Sequence, residues 1–180
     1  MNNQARTHQI GNILGLALIC MMLTIAFIDQ FYQLTLPCPL CLLQRGCLII
    51  IGLCLGLNIK IGIKTSHYGL MNLAALLGLC ASARQILLHL MPGDPGYGHL
   101  LLGLHLYIWS AIIFTTVIGV IGVALLLNNG FSIAKKPMNA WCTALMLFFL
   151  VLILANVIST FIECGLLICP PNPVNYYLLN

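Results

Sequence analysis

Five apolar stretches, residues 10–28, 42–59, 68–89, 100–127 and 140–162, alternate along this chain with short polar segments. Each approaches or exceeds the ~20 residues that a helix needs to cross a hydrocarbon core. The first is longer than the ~7–15-residue apolar region of a signal peptide, and no small-residue cleavage site follows it. It therefore reads as a retained span. The second is short, with 14 uncharged residues between Arg45 and Lys60. To cross, that helix must take in Cys41 to Arg45, which sets Arg45 at the membrane boundary. A cation there is costly and marks a candidate functional residue, snorkelling to the headgroups being the ordinary alternative. Met91 to Gly98, with two prolines and three glycines, is a turn. The other connections are short as well, and the tail, residues 163–180, is polar and proline-rich.

Composition turns this pattern into a fold class. The chain is 61% hydrophobic and 6% charged, against about 25% charged in soluble domains. Its solvent is membrane lipid. The expectation is an all-α membrane protein, a bundle of five transmembrane helices forming one integral-membrane domain over residues 1–180. A formal charge of +4 without a dense basic cluster argues against nucleic acid as a partner. Arg6, Lys60, Lys64, Lys135 and Lys136 fall on one side of five spans. Arg45 and Arg84 fall on the other, with Asp29, Asp94 and Glu163. The positive-inside rule puts the N-terminus in the cytoplasm and the C-terminus outside.

The cysteines then acquire a side. Five of the nine (Cys20, Cys47, Cys54, Cys80 and Cys142) lie inside apolar runs and read as small hydrophobes. The others form two pairs, Cys38/Cys41 and Cys164/Cys169, both on the outer face, where disulfides persist in a bacterium. A CxxC at a helix start is a redox arrangement, because the helix N-terminus and a nearby cation favour the attacking thiolate. Pro37 and Pro39 suit a first turn, and Arg45 shares a helix face with Cys41. Between Cys164 and Cys169 a turn can close a disulfide. Two dithiol pairs on one face suggest a relay by thiol–disulfide exchange. With no metal or flavin motif in the sequence, the expected electron acceptor is a lipid-soluble quinone, ubiquinone or menaquinone.

Cys38, Cys41 and Arg45, with Ala83-Arg84 at the outer end of the third span and Pro92 beyond it, resemble the DsbB family of inner-membrane thiol:quinone oxidoreductases. The likeness covers the layout of roughly residues 10–127. It implies a four-helix core carrying a fifth, C-terminal span, and a periplasmic DsbA-like thioredoxin-fold protein as partner. It also implies roles: Cys41 donates to quinone, Cys38 exchanges with the second pair, Arg45 contacts the quinone and Arg84 lies near the same pocket. Three features depart from the family pattern. The second pair follows the fifth span instead of lying between spans three and four, that loop is short and lacks cysteine, and Gln85 stands where histidine is common. Cys169 is assigned to the partner and Cys164 to attack on Cys38, the reverse order remaining open.

His99, His105, Tyr107 and Trp109 cluster at the outer start of the fourth span. They suit an aromatic interface belt. The functional alternative is a wall of the quinone pocket, with His105 or His89 relaying a proton. Tyr176 and Tyr177 read as interfacial anchors, Asp29 as a helix-end residue, and Glu163 as an interfacial charge closing span five. Two other functions fit less of the chain. A Cys₄ metal site gives Arg45 no role, and for a small transporter or scaffold with purely structural cysteines no intramembrane acid–base chain supports transport.

Overall fold

The computed structural model describes residues 3–32, 35–127, 132–133, 139–166, 169, 173 and 175–178. It contains the helices α1 (Asn3–Tyr32), α2 (Pro39–Ile61), α3 (Thr65–Leu88), α4 (Leu106–Leu127) and α5 (Ala140–Cys164). All five are long and apolar enough to cross a membrane, so the chain is an all-α, multi-pass membrane protein. Lys135 and Lys136 lie outside the described residues.

Local chemistry sets the helix starts. Cys38 caps α2, its sulfur accepting the Cys41 N–H at 3.2 Å, and Pro39 occupies the first turn. Asn139 caps α5 by accepting the Cys142 N–H at 2.9 Å. The fourth helix starts later than its hydropathy suggests. Residues 100–105, apolar enough to extend it, instead form a hairpin of β2 (Leu100–Leu101) and β3 (Leu104–His105). The turn needs positive φ at Leu102 (53°) and Gly103 (82°), a backbone requirement that hydropathy does not register. On the other side of the bundle, β1 (Ile63–Lys64) pairs antiparallel with β4 (Ser132–Ile133), which ties the α2–α3 link to the α4–α5 link.

Helix α2 is central and packs on α1, α3 and α5, while α4 packs on α3. Leu16, Leu23, Ile51 and Phe114 are fully enclosed. Two glycines let aromatic rings approach the backbone. A Cβ on Gly78 of α3 would collide with the Phe114 ring of α4, and one on Gly52 of α2 with the Phe149 ring of α5. Small residues at helix contacts are what packing in lipid favours. Cys20, Cys47, Cys54 and Cys142 are buried and Cys80 is exposed, all as free thiols.

The helix ends remote from Cys38 are fastened by polar groups. Asn58 donates to Asn12 Oδ1 at 2.9 Å, and Asn12 donates to the Tyr68 hydroxyl at 3.2 Å. The His67 ring and Asn58 Oδ1 are 2.7 Å apart. This clamp joins α1, α2 and α3 at one end and leaves the other end of the bundle to house the cysteines.

Candidate redox site

Capping α2 with Cys38 brings the two sulfurs of the CxxC together, 2.7 Å apart and both as free thiols. Cys38 is buried and Cys41 half-buried. The hydrogen bond to the Cys41 sulfur, followed by burial, holds the Cys38 thiol far above the usual thiol range. Gln85 of α3, 1% exposed, reaches both sulfurs: its Nε2 is 3.3 Å from Cys41 Sγ and 3.5 Å from Cys38 Sγ. Gln44 donates to Gln85 Oε1 at 2.7 Å, which orients the amide with its N–H groups toward sulfur. A buried amide is retained where its hydrogen bonds are made.

Arg45 lies one helical turn beyond Cys41. Its guanidinium donates to Gln30 Oε1 at 2.7 Å and to the Ala26 carbonyl at 2.8 Å, and it sits 5.5 Å from the centre of the Phe27 ring. All three partners come from α1. Gln30 in turn donates to Ser159 Oγ of α5 at 2.7 Å and to the Tyr176 hydroxyl at 3.1 Å. Tyr176, expected as a membrane anchor, is therefore tied into the interior. The hydrogen-bond partners of Arg45 are neutral, and among the described residues no ion pair involves it. Glu163 is 1% exposed and both carboxylate oxygens lack a hydrogen-bond partner among the described residues. Its charge is within interaction range of Arg45 and Cys41. This corrects the reading of Glu163 as an interfacial charge, because its side chain turns into the bundle.

A cleft opens beside Cys41, with about 600 Å³ of empty space, mouth included. Asp29, Thr35, Gln44, Arg45, Gln85, Tyr107 and Ser110 give its wall polar groups, and Met22, Leu36, Leu48 and Leu106 add apolar ones. Tyr97 lines it as well and donates its hydroxyl to the Leu36 carbonyl, which ties the 91–98 turn to the segment just before Cys38. Burial first, then the charges of Cys38 and Cys41, hold the Tyr97 phenol above its usual range. In the same turn the Gly96 N–H at 2.7 Å and His89 at 3.0 Å keep the Asp94 carboxyl below the usual carboxylate range. Asp29 accepts from Thr35 Oγ1 at 3.0 Å and lies 3.4 Å from His99 Nδ1.

Of the residues singled out in the sequence, Cys38, Cys41 and Arg45 meet here. Arg84 does not: it is exposed and off the cleft wall, while its neighbour Gln85, about 100° further round α3, points in. His105 stacks on Tyr107 with ring centres 5.2 Å apart, and its Nδ1 is buried without a partner. That lack of a partner holds among the described residues, and His105 does not line the cleft, whereas Tyr107 does. Cys164 and Cys169 form a disulfide at the end of α5, their Cα atoms 4.8 Å apart. The tail then folds back, with the N–H groups of Tyr177 and Leu178 donating to the Glu163 and Ile162 carbonyls at 3.1 Å each. A Cys₄ metal site would need both pairs in one coordination sphere. Among the described residues no three His, Cys, Asp or Glu side chains are placed to hold an ion.

The sequence reading passed over Gln30, Gln44 and the contact that Gln85 makes. The signal was present: each is an uncharged polar side chain in or beside an apolar run, and such groups face the interior of a bundle. A family model described as disulfide bond formation protein DsbB matches residues 8–98, just over half of the chain. The matched part holds Cys38, Cys41, Arg45 and Gln85 and stops before α4, α5 and the second cysteine pair. No curated protein and no solved structure matches the chain.

Proposed function

We propose a reaction from one premise: the chain belongs to the DsbB family, whose members are disulfide-forming membrane oxidoreductases. In this reading it oxidises a DsbA-like, thioredoxin-fold dithiol protein and passes the two electrons to a membrane quinone. It would sit in the bacterial inner membrane with its N-terminus cytoplasmic and its C-terminus periplasmic. Lys60 and Lys64 at the ends remote from the CxxC, set against Asp29, Asp94 and Glu163 near it, support that orientation. The whole chain would act as one integral-membrane domain.

The observation that carries the reading is the Cys38–Cys41 pair at the start of α2, its sulfurs 2.7 Å apart between the Gln85 amide and the Arg45 helix face. Each cysteine has a distinct role. Cys169 receives electrons from the partner through a mixed disulfide, and Cys164 is released as a thiolate. Cys164 attacks Cys38 of an oxidised Cys38–Cys41 disulfide, and Cys41 leaves as thiolate. The partner's second thiol then resolves the mixed disulfide, leaving the partner oxidised and Cys169 as a thiolate, and Cys169 attacks Cys164, restoring the Cys164–Cys169 disulfide and freeing Cys38. Two electrons have moved inward and each bond broken is matched by one formed.

The donor chemistry of the cleft fits a quinone head group, since its lining combines hydrogen-bond donors with apolar side chains. When bound, a quinone supplies the two-electron acceptor. Arg45 and Ser110 would hold its oxygens, and Met22 and Leu48 would face the ring. Arg84 and His105 would act from outside the cleft, His105 through the Tyr107 ring it stacks on. Cys41 is the thiol on the cleft wall, so it would face the acceptor, while Cys38 stays protonated.

The test is quinone reduction by the purified protein supplied with a reduced DsbA-like protein. Cys41→Ser should abolish it, and Cys164→Ser should block the partner while leaving Cys38 and Cys41 able to form their disulfide. Full activity in Cys41→Ser sinks the reading. Trapping a mixed disulfide on Cys169 identifies the partner.

A further inference from the structure

Arg45, half-buried, and Glu163, fully buried, are two ionisable groups with no ion pair between them among the described residues. Arg45 donates to two neutral oxygens, those of Gln30 and Ala26. Glu163 is 1% exposed and its carboxylate bonds to nothing among the described residues. A lone buried carboxylate is costly, and so is a lone buried cation. The two are near enough for their charges to interact, as are Glu163 and Cys41. One cation is thus shared by two groups able to become anions. When both would be charged, the site holds one negative charge too many, and coupled buried acids of this kind ionise alternately.

We propose that Glu163 is a redox-linked proton carrier, protonated when the Cys38/Cys41 pair is reduced and ionised when it is oxidised. The inference rests on the thiol–quinone reading above and adds to it the route of the second proton. Oxidation of a dithiol releases two electrons and two protons. Reduction of the Cys38–Cys41 disulfide to a Cys38 thiol and a Cys41 thiolate takes up both electrons and only one proton. The Glu163 carboxylate takes the other. When the pair is re-oxidised, Cys38 and Glu163 each give up one proton, matching the two protons that a quinone needs with its two electrons. Arg45 is neutralised throughout, by Glu163 in the oxidised form and by Cys41 in the reduced form. The other ionisable groups around this guanidinium are Asp29 from α1 and Tyr176 from the tail, and Tyr97 of the 91–98 turn is within charge range of Glu163. Asp29 is already engaged by Thr35 and His99. Glu163 is a positioning and proton-holding residue, since it does not line the cleft.

The experiment is a redox titration of quinone-free, full-length protein between pH 6 and 8, with proton uptake per two electrons read from the pH dependence of the Cys38/Cys41 midpoint potential. We expect two protons in the natural protein, one in Glu163→Gln and two again in Glu163→Asp. Infrared difference spectra should show a protonated carboxyl band appearing on reduction and missing in Glu163→Gln. An unchanged proton count in Glu163→Gln, or no such band in the natural protein, overturns the proposal. The infrared measurement on the natural protein decides the matter even where Glu163→Gln fails to fold. Failure of the thiol–quinone reading is distinguishable, because it appears as absent quinone reduction in the natural protein.

Discussion

The Nε2 amide of Gln85 sits 3.3 Å from the sulfur of Cys41, while its Oε1 is held by Gln44 at 2.7 Å. The second bond fixes the amide orientation and so makes the first a donor toward sulfur. A hydrogen bond to a charged group contributes about 1.5–3 kcal/mol, so its loss is worth roughly 10- to 100-fold in thiolate stability. Gln85→Leu should slow alkylation of Cys41 at neutral pH by that factor, and Gln85→Glu should slow it at least as much by adding a like charge. An unchanged alkylation rate would show that the amide only fills space.

Arg45 fans across two acceptors of α1, which a lysine cannot do from one ammonium position. Arg45→Lys should keep the fold and raise the KM for a quinone analogue about tenfold, and Arg45→Met should raise it further. Gln30→Ala, which removes the Oε1 acceptor without touching the cleft, should move KM in the same direction. A Gln30→Ala enzyme with natural KM would separate the guanidinium from its α1 support.

The raised Cys38 thiol makes stability depend on pH in the reduced protein. Its folded pKa lies above the unfolded value, ~8.5 for a free thiol, so the unfolded chain loses this proton first as pH rises. The contribution is fully present below about pH 8.5 and is lost above it. The melting temperature of the reduced protein should fall from pH 8.5 to 10 more steeply than that of Cys38→Ala. Parallel curves would refute this.

Gly78 and Gly52 each lie under an aromatic ring, Phe114 and Phe149. Adding a methyl group there forces the ring or the helix to move, which costs about 1–3 kcal/mol in a packed interior. Gly78→Ala and Gly52→Ala should both lower the melting temperature in detergent. Gly52→Ala should loosen α5 in particular, and with it the Cys164–Cys169 turn. Protease sensitivity near the end of α5 would report that.

What the sequence made legible follows from what lipid imposes. Apolar runs must be helices, so five spans can be read from hydropathy, and the short second run forces Arg45 beside Cys41. What stayed hidden depends on rotation about a helix axis or on backbone torsion. Arg84 and Gln85 are neighbours in sequence, yet one faces out and the other meets two sulfurs. Glu163 at the end of a span looks like an interfacial charge until α5 is seen to turn it inward. The 100–105 hairpin hangs on the positive φ of Leu102 and Gly103. Tyr176 joins the network because the tail doubles back onto the carbonyls of Ile162 and Glu163, a long-range contact that no local pattern encodes.

The grip of α1 on Arg45 also bears on how the chain is made. A guanidinium entering hydrocarbon costs about 2.5–3.5 kcal/mol at the centre of an inserting helix. In the proposed orientation Arg45 must pass across the bilayer, and α1, synthesised before α2, would offer it the Ala26 carbonyl and the Gln30 side chain. The first helix would then act as an intramolecular chaperone for the second. Exchanging α1 for an unrelated apolar helix should impair biogenesis before it impairs chemistry.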